Sequence, residues 1–286
     1  MPLWGPPPRG SLGQRAERSL RRGASKARDS WEIWRDDSYR RLAPSVVFPD
    51  GSRRVYCYHV RKTAGTSLHL SFMALGGEDP FEVLRRMTDS RLHRTISGPY
   101  GYLAYHRRLL ADGAYFYGRS HRPAAEQPLP PDTHTVTVLR DPVRRVHSYF
   151  DYLVAGDAPG MPGPVWIRER RLALDGFDAF LDRVPPEYLL TQLSMFSERR
   201  DVSQAADRIA SCSTVMFTED FANGLATLGR RLELPLEAHR ARVTEQRSSL
   251  TEDQVERLTS RLEPEYELLR RLAAGGIEPG GSENVR

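Results

Sequence analysis

Three times along this chain a short β-branched or aromatic run gives way to a small polar loop and then to an amphipathic helix. That repeat constrains the fold more than any other feature. The first run, "RVYCYHV" from Arg54, precedes a helix with Leu68, Phe72 and Leu75 at i, i+4 and i+7, closed by Gly76-Gly77. The second, "THTVTVLR" from Thr133, leads to Asp141 as a natural N-cap and Pro142 as a natural first helical residue. Val143, Val146, Phe150 and Leu153 then share one face. The third, "STVMF" from Ser213, precedes a helix that Thr218 can cap and that buries Phe221, Leu225, Leu228 and Leu232. A last helix opens with the capping-box spacing Thr251…Gln254, carries Val255, Leu258, Leu262, Tyr266 and Leu269 inward, and is kinked by Pro264. Strands alternating with helices predict an α/β fold, a mostly parallel sheet covered on both faces. Ligands of such sheets bind at the carboxyl ends of the strands.

Residues 46–275 read as one domain. The flanks differ: 1–45 hold ten Lys/Arg against five Asp/Glu, an excess equal to the whole formal charge of +5. The body is therefore neutral overall, which weakens nucleic-acid binding as an explanation of the basic composition. The first 28 residues are Pro-, Gly- and Arg-rich and read as disordered, Trp31 and Trp34 as anchoring a short helix, and 276–286 as a frayed tail. No window reaches the ~18 apolar residues of a membrane span, and no signal-peptide core is present. Two cysteines, Cys57 and Cys212, give neither a bridge framework nor a metal cluster, so a reducing, cytoplasmic setting is expected.

Two loops fall at strand ends. In "RKTAGTS" the backbone at Ala64 and Gly65 can approach an anion, the new helix turns its free N–H groups to the same point, and Thr63, Thr66 and Ser67 add hydroxyls. Lys62 is one of only two lysines among 42 basic residues. Its compact ammonium suits a task in which a point charge follows a shifting negative charge. The pattern is not the Walker sequence, where the lysine follows a longer glycine loop. In "VLRDPVRRVHSY" Arg140 ends a strand, and Ser148 lies two turns along the next helix, opposite the apolar stripe. An arginine fork and a hydroxyl together can hold a phosphate.

Taken together, His59-Val60-Arg61-Lys62-Thr63-Ala64-Gly65-Thr66-Ser67 and Leu139-Arg140-Asp141-Pro142 with Ser148 resemble the two nucleotide-binding signatures of sulfotransferases that use 3′-phosphoadenosine 5′-phosphosulfate (PAPS). The likeness is to the carbohydrate branch related to heparan sulfate 2-O-sulfotransferase and covers about residues 50–270. Arg61 stands where that family usually has proline. The resemblance implies a P-loop-like three-layer fold, with the first loop on the 5′-phosphosulfate and the second on the 3′-phosphate. It also implies Lys62 beside the leaving oxygen, no metal requirement, and a glycan or hydroxylated small molecule as acceptor. Lacking an anchor, the chain is expected to be a soluble bacterial enzyme.

An alcohol acceptor needs a general base. His121 in "YFYGRSHRP" is the first choice and His59 the next, with Glu78 and Glu126 more remote. Arg240, Arg242 or Arg247 could supply a third phosphate ligand, and Trp166 could stack on a sugar. The alternatives are a small-molecule or nucleoside kinase with an atypical phosphate loop, and a basic-tailed, non-enzymatic binding protein for nucleic acid or anionic lipid.

Overall fold

A computed structural model describes residues 46–155, 164–239 and 248–280, without the side chains of 164–168. Two compact units divide the chain, 1–41 and 42–286, and the description concerns the second. The proposed helix at Trp31 and Trp34 lies outside the described residues.

The second unit is an α/β structure around one six-stranded sheet. Its elements run β1 (Arg54–Tyr58), α1 (Gly65–Met73), α2 (Pro80–Asp89), β2 (Arg94–Ser97), β3 (Tyr100–Ala104), α3 (Arg107–Asp112), β4 (Tyr117–Ser120), β5 (Thr133–Leu139) and α4 (Pro142–Ala155). There follow α5 (Pro164–Ala173), α6 (Phe177–Arg183), α7 (Pro186–Leu189), α8 (Thr191–Phe196), α9 (Val202–Ala210), β6 (Thr214–Phe217), α10 (Phe221–Leu232), α11 (Glu252–Arg261) and α12 (Glu263–Ala274). The strand order is β2-β3-β4-β1-β5-β6, parallel except for the β2–β3 pair.

Alternation along the strands builds two cores. Val55 and Cys57 of β1, Val136 and Val138 of β5 and Met216 of β6 pack with Leu68, Phe72, Leu225 and Leu228 of α1 and α10. Leu139, Val215 and Phe217 face the other way, onto α8, α9 and α12. A third cluster joins α4 to α6 and α11 through Val146, Phe150, Leu153, Phe180 and Leu258. Both cysteines are buried free thiols, and burial pushes the Cys57 thiol up to about 12. No described helix is long and apolar enough to cross a membrane.

Four local readings change. The hydroxyl of Thr218 does not cap α10; it donates to the Leu139 carbonyl at 3.2 Å, and a 3₁₀ turn over Thr218–Asp220 leads into the helix. The Thr251 capping box is present, but Val255 is exposed, because α11 buries only a narrow stripe centred on Leu258. Pro264 does more than kink: the helix breaks at Leu262, and α12 starts afresh. The C-terminal stretch is fixed at its beginning. Ile277 N–H donates to the Leu272 carbonyl at 2.9 Å and Gly276 N–H to Ala273 at 2.9 Å, a Schellman closure with Gly276 left-handed.

β1 and β5 are neighbours and parallel. From β1 the chain leaves toward β4, from β5 toward β6, so the connections diverge at their carboxyl ends. That divergence opens the crevice where such sheets take ligands.

Candidate functional site at the β1 and β5 carboxyl ends

The loop leaving β1 is held in an uncommon shape. Lys62 and Ala64 both adopt the left-handed region, φ 68° and 61°, which costs about 1–3 kcal/mol per non-glycine residue unless neighbours enforce it. The enforcing contacts are visible. The buried Thr63 hydroxyl donates back to the Val60 carbonyl at 3.0 Å, and Arg61 Nη1 donates to both carboxylate oxygens of Glu169 at 3.0 and 2.9 Å. Glu169 also accepts from the Tyr149 hydroxyl at 2.7 Å. Ala64 is the N-cap of α1, so no side chain accepts from the first N–H groups of that helix, and its first turn has no acidic residue. Those N–H groups and the helix dipole therefore present positive potential.

The loop leaving β5 comes to the same place. Arg140 Nη1 donates to the Lys62 carbonyl at 3.0 Å, joining the two loops directly. The backbone of Arg140 is gripped from both sides by Gln192 of α8: its N–H donates to Oε1 at 2.8 Å, and its carbonyl accepts from Nε2 at 3.0 Å. Gln192 is fully buried and rests on Glu265 of α12, which also pairs with the buried Arg145. Asp141 caps α4 by accepting from the Arg144 N–H at 2.8 Å. A cavity of about 520 Å³ opens here, lined by Arg140, Arg144, His147, Ser148, Asp151, Thr218 and Glu219. Its two carboxylates are engaged: Glu219 accepts from the Asp141 N–H at 3.0 Å, and Asp151 accepts from Ser248 at 2.6 Å. The Lys62 ammonium sits 4.5 Å from the ring of Tyr152, one turn beyond Ser148 on α4.

Behind the first loop lies a histidine cluster. The His59 ring packs on the Cα of Gly65, where a Cβ would fall 2.1 Å from the ring. His59 Nδ1 meets His69 Nε2 at 3.0 Å, and His69 Nδ1 meets the Tyr117 hydroxyl at 2.6 Å. Arg119 Nη1 approaches His59 Nδ1 at 3.5 Å, so that nitrogen is an acceptor, and the chain runs Tyr117 O–H to His69 and His69 Nε2–H to His59. Burial, followed by neighbouring positive charge, holds His59 and His69 well below the ordinary imidazole range. His121 stacks on His59 with centroids 4.3 Å apart and donates Nδ1–H to the His59 carbonyl at 2.6 Å, leaving Nε2 with the lone pair. Burial and then Arg61 lower its pKa to about 3, so the ring is neutral across the physiological range.

Several sequence candidates therefore converge: Lys62, Ala64 and Gly65 with Arg140, Ser148, His59 and His121. Others are placed differently. The Arg61 guanidinium is taken by Glu169 and the Thr63 hydroxyl by Val60, so these side chains shape the loop. Thr66 and Ser67 lie half-buried in the first turn of α1. Gly65 owes its missing Cβ to the His59 ring rather than to room for an anion. Glu78 and Glu126 pair with Arg86 and Arg122 at 2.9 and 3.6 Å. Arg240, Arg242 and Arg247, and the side chain of Trp166, lie outside the described residues. Sequence reasoning missed Gln192, His69 and Tyr152. His69 alone had a signal, a polar ring inside the apolar run "LHL".

Comparison with protein-family models and with curated proteins finds no match in either. The functional reading therefore rests on the residues and their geometry.

Proposed function

We propose that the protein is a PAPS-dependent sulfotransferase with a P-loop-like fold, moving a sulfuryl group to a hydroxyl of a glycan or other hydroxylated small molecule. The observation that carries this reading is the junction of the two loops. Arg140 reaches the Lys62 carbonyl at 3.0 Å while sharing a cavity with Ser148. One loop offers helix N–H groups and an ammonium, the other a guanidinium and a hydroxyl, which suits a nucleotide charged at both ends.

In this reading the 5′-phosphosulfate lies on the first turn of α1, and Arg140 with Ser148 takes the 3′-phosphate. The sulfur–oxygen bond to the nucleotide breaks as the acceptor oxygen bonds to sulfur, and the bond's electrons stay on the departing phosphate oxygen. Lys62 swings from Tyr152 to that oxygen as its charge grows. The acceptor proton passes to Nε2 of His121, whose tautomer is set by the His59 carbonyl. A ring with a pKa near 3 is a weak base; the donor's negative charges, arriving beside Arg61 and Arg119, raise it toward the useful range.

Thermal unfolding tests the reading directly. A ligand that binds only the folded protein stabilises it by about 2.7 kcal/mol at a hundredfold excess over Kd, a rise of roughly 5–11 °C for a domain of this size. Adenosine 3′,5′-bisphosphate should produce that rise in the full chain and lose it in Arg140→Ala. A shift with Mg-ATP and none with the bisphosphate would replace this reaction with phosphoryl transfer.

A further inference from the structure

One N–H group of the histidine cluster has no acceptor among the described residues, and the contacts of its neighbours say which group it is. Arg119 Nη1, which can only donate, faces His59 Nδ1 at 3.5 Å, and His69 Nε2 meets the same nitrogen at 3.0 Å. A proton on His59 Nδ1 would oppose both donors at once. That nitrogen is therefore bare, and the ring carries its proton on Nε2. His69, with its own proton on Nε2, has a bare Nδ1 to which the Tyr117 hydroxyl donates at 2.6 Å. Every member of the line thus has one permitted tautomer, and the line ends on His59 Nε2–H.

That N–H lies at the start of α1. The Cδ2–Nε2 edge of the ring rests against Gly65, the first residue of the helix, where a Cβ would fall 2.1 Å from Cδ2 and 2.3 Å from Nε2. His59 is only 8% exposed, so water does little for the group. A buried donor without an acceptor is unfavourable, and a fold that keeps one beside a helix N-terminus has a use for it. The helix brings no acceptor of its own: the N-cap is Ala64, and the first turn has no acidic residue. Behind the ring, Arg119 is buried with no carboxylate partner among the described residues. Its charge beside Nδ1 polarises the imidazole and strengthens Nε2–H as a donor.

We propose that His59 is a neutral hydrogen-bond donor to the 5′-phosphosulfate, its Nε2–H reaching a phosphate oxygen, and that His69 and Tyr117 are positioning residues that hold this tautomer. This rests on the reading of α1 as the seat of that group. It removes His59 as a base, because Nε2 already holds its proton, and leaves the acceptor's proton to His121. As the sulfur–oxygen bond breaks, the departing phosphate gains charge and the hydrogen bond from Nε2 shortens; no proton leaves the ring. Lys62 has to travel from Tyr152 to do its part, whereas His59 is in place before the reaction begins.

Nuclear magnetic resonance (¹H–¹⁵N) of the histidine rings in the full chain reads the tautomer directly. At neutral pH His59 should carry its proton on Nε2. Adenosine 3′,5′-bisphosphate should move that resonance downfield, and adenosine 3′-monophosphate, which lacks the 5′ charge, should leave it in place. With PAPS, His59→Phe should lose about a hundredfold in kcat at little change in KM. His59→Gln, whose amide can bring an N–H near the Nε2 position, should keep more of the rate. In His69→Leu both His59 tautomers should appear and kcat should fall, and His69→Gln, able to donate to the same Nδ1, should restore one tautomer and part of the rate. A His59 ring found with its proton on Nδ1, or doubly protonated, overturns the inference. So does an Nε2–H resonance that stays put while calorimetry shows the bisphosphate bound. Full kcat in His59→Phe would also overturn it, and would leave sulfuryl transfer standing. A single tautomer and an unchanged rate in His69→Leu would strip His69 and Tyr117 of their part. A bisphosphate-dependent shift with no transfer from PAPS would sustain the donor and sink the reaction assigned above.

Discussion

Substituting Gly65 with alanine tests the packing on which the first loop depends. The new Cβ would sit 2.1 Å from His59 Cδ2 and 2.3 Å from Nε2, where ordinary contact begins at 3.4 Å. The ring would have to retreat by more than an ångström, and it has nowhere to go. His69 holds it at 3.0 Å, and His121 stacks on it at 4.3 Å. Overpacking of this kind costs about 1–3 kcal/mol. Breaking the His59–His69 hydrogen bond strands a buried donor for about another 1–3 kcal/mol. Gly65→Ala should therefore lose roughly 2–6 kcal/mol, read as a lower urea midpoint at unchanged slope. His59→Ala leaves a space that the added methyl partly fills. The double variant should then be about as stable as His59→Ala alone, a strong departure from additivity. A neutral Gly65→Ala, or strictly additive losses, would refute the claim that this glycine exists to admit the His59 ring.

Removing the Lys62 ammonium should cost about 3–4 kcal/mol of transition-state stabilisation, so Lys62→Ala should lower turnover at least a hundredfold with the melting temperature preserved; steady-state kinetics with PAPS decides it. Gln192→Leu should destabilise by about 2–4 kcal/mol, because the backbone groups of Arg140 and the Glu265 carboxylate lose buried partners, and it should weaken adenosine 3′,5′-bisphosphate binding measured by calorimetry. Acid should act through His59, His69 and His121, whose folded pKa values lie below the ordinary ~6.5. Below that pH the unfolded chain takes up protons that the folded protein refuses. Stability should thus fall as pH drops from 6.5, by about 1.4 kcal/mol per unit for each histidine. Urea midpoints at pH 7 and pH 5 check this, and a flat profile would contradict the burial of the cluster.

The loops were legible in the sequence because their chemistry is local: a lysine among arginines, hydroxyls at a helix start, Asp-Pro opening the next helix. Strand neighbourhood was legible to the extent that runs such as "THTVTVL" can only be buried, and β5 duly pairs on both sides. The β2–β3 hairpin was not, since "RTIS" is four residues long with an exposed Ile96, and its turn residue Gly98 lies close over Gly76 with φ 54°, a proximity set by tertiary packing. Gln192 left no trace because its importance comes from residues 52 and 73 positions away. That the buried Arg119 has no carboxylate partner among the described residues was equally hidden: composition counts charges, and only coordinates say which are paired.

The support of Arg140 through Gln192 by Glu265 means that the second signature is completed by a helix more than a hundred residues downstream. A fragment ending before residue 263 would keep every residue of both loops yet leave Gln192, which grips the Arg140 backbone, without the carboxylate behind it. Transplanting "LRDP" onto another scaffold would fail for the same reason. The grip on Arg140 at this edge is thus completed only when α12 docks.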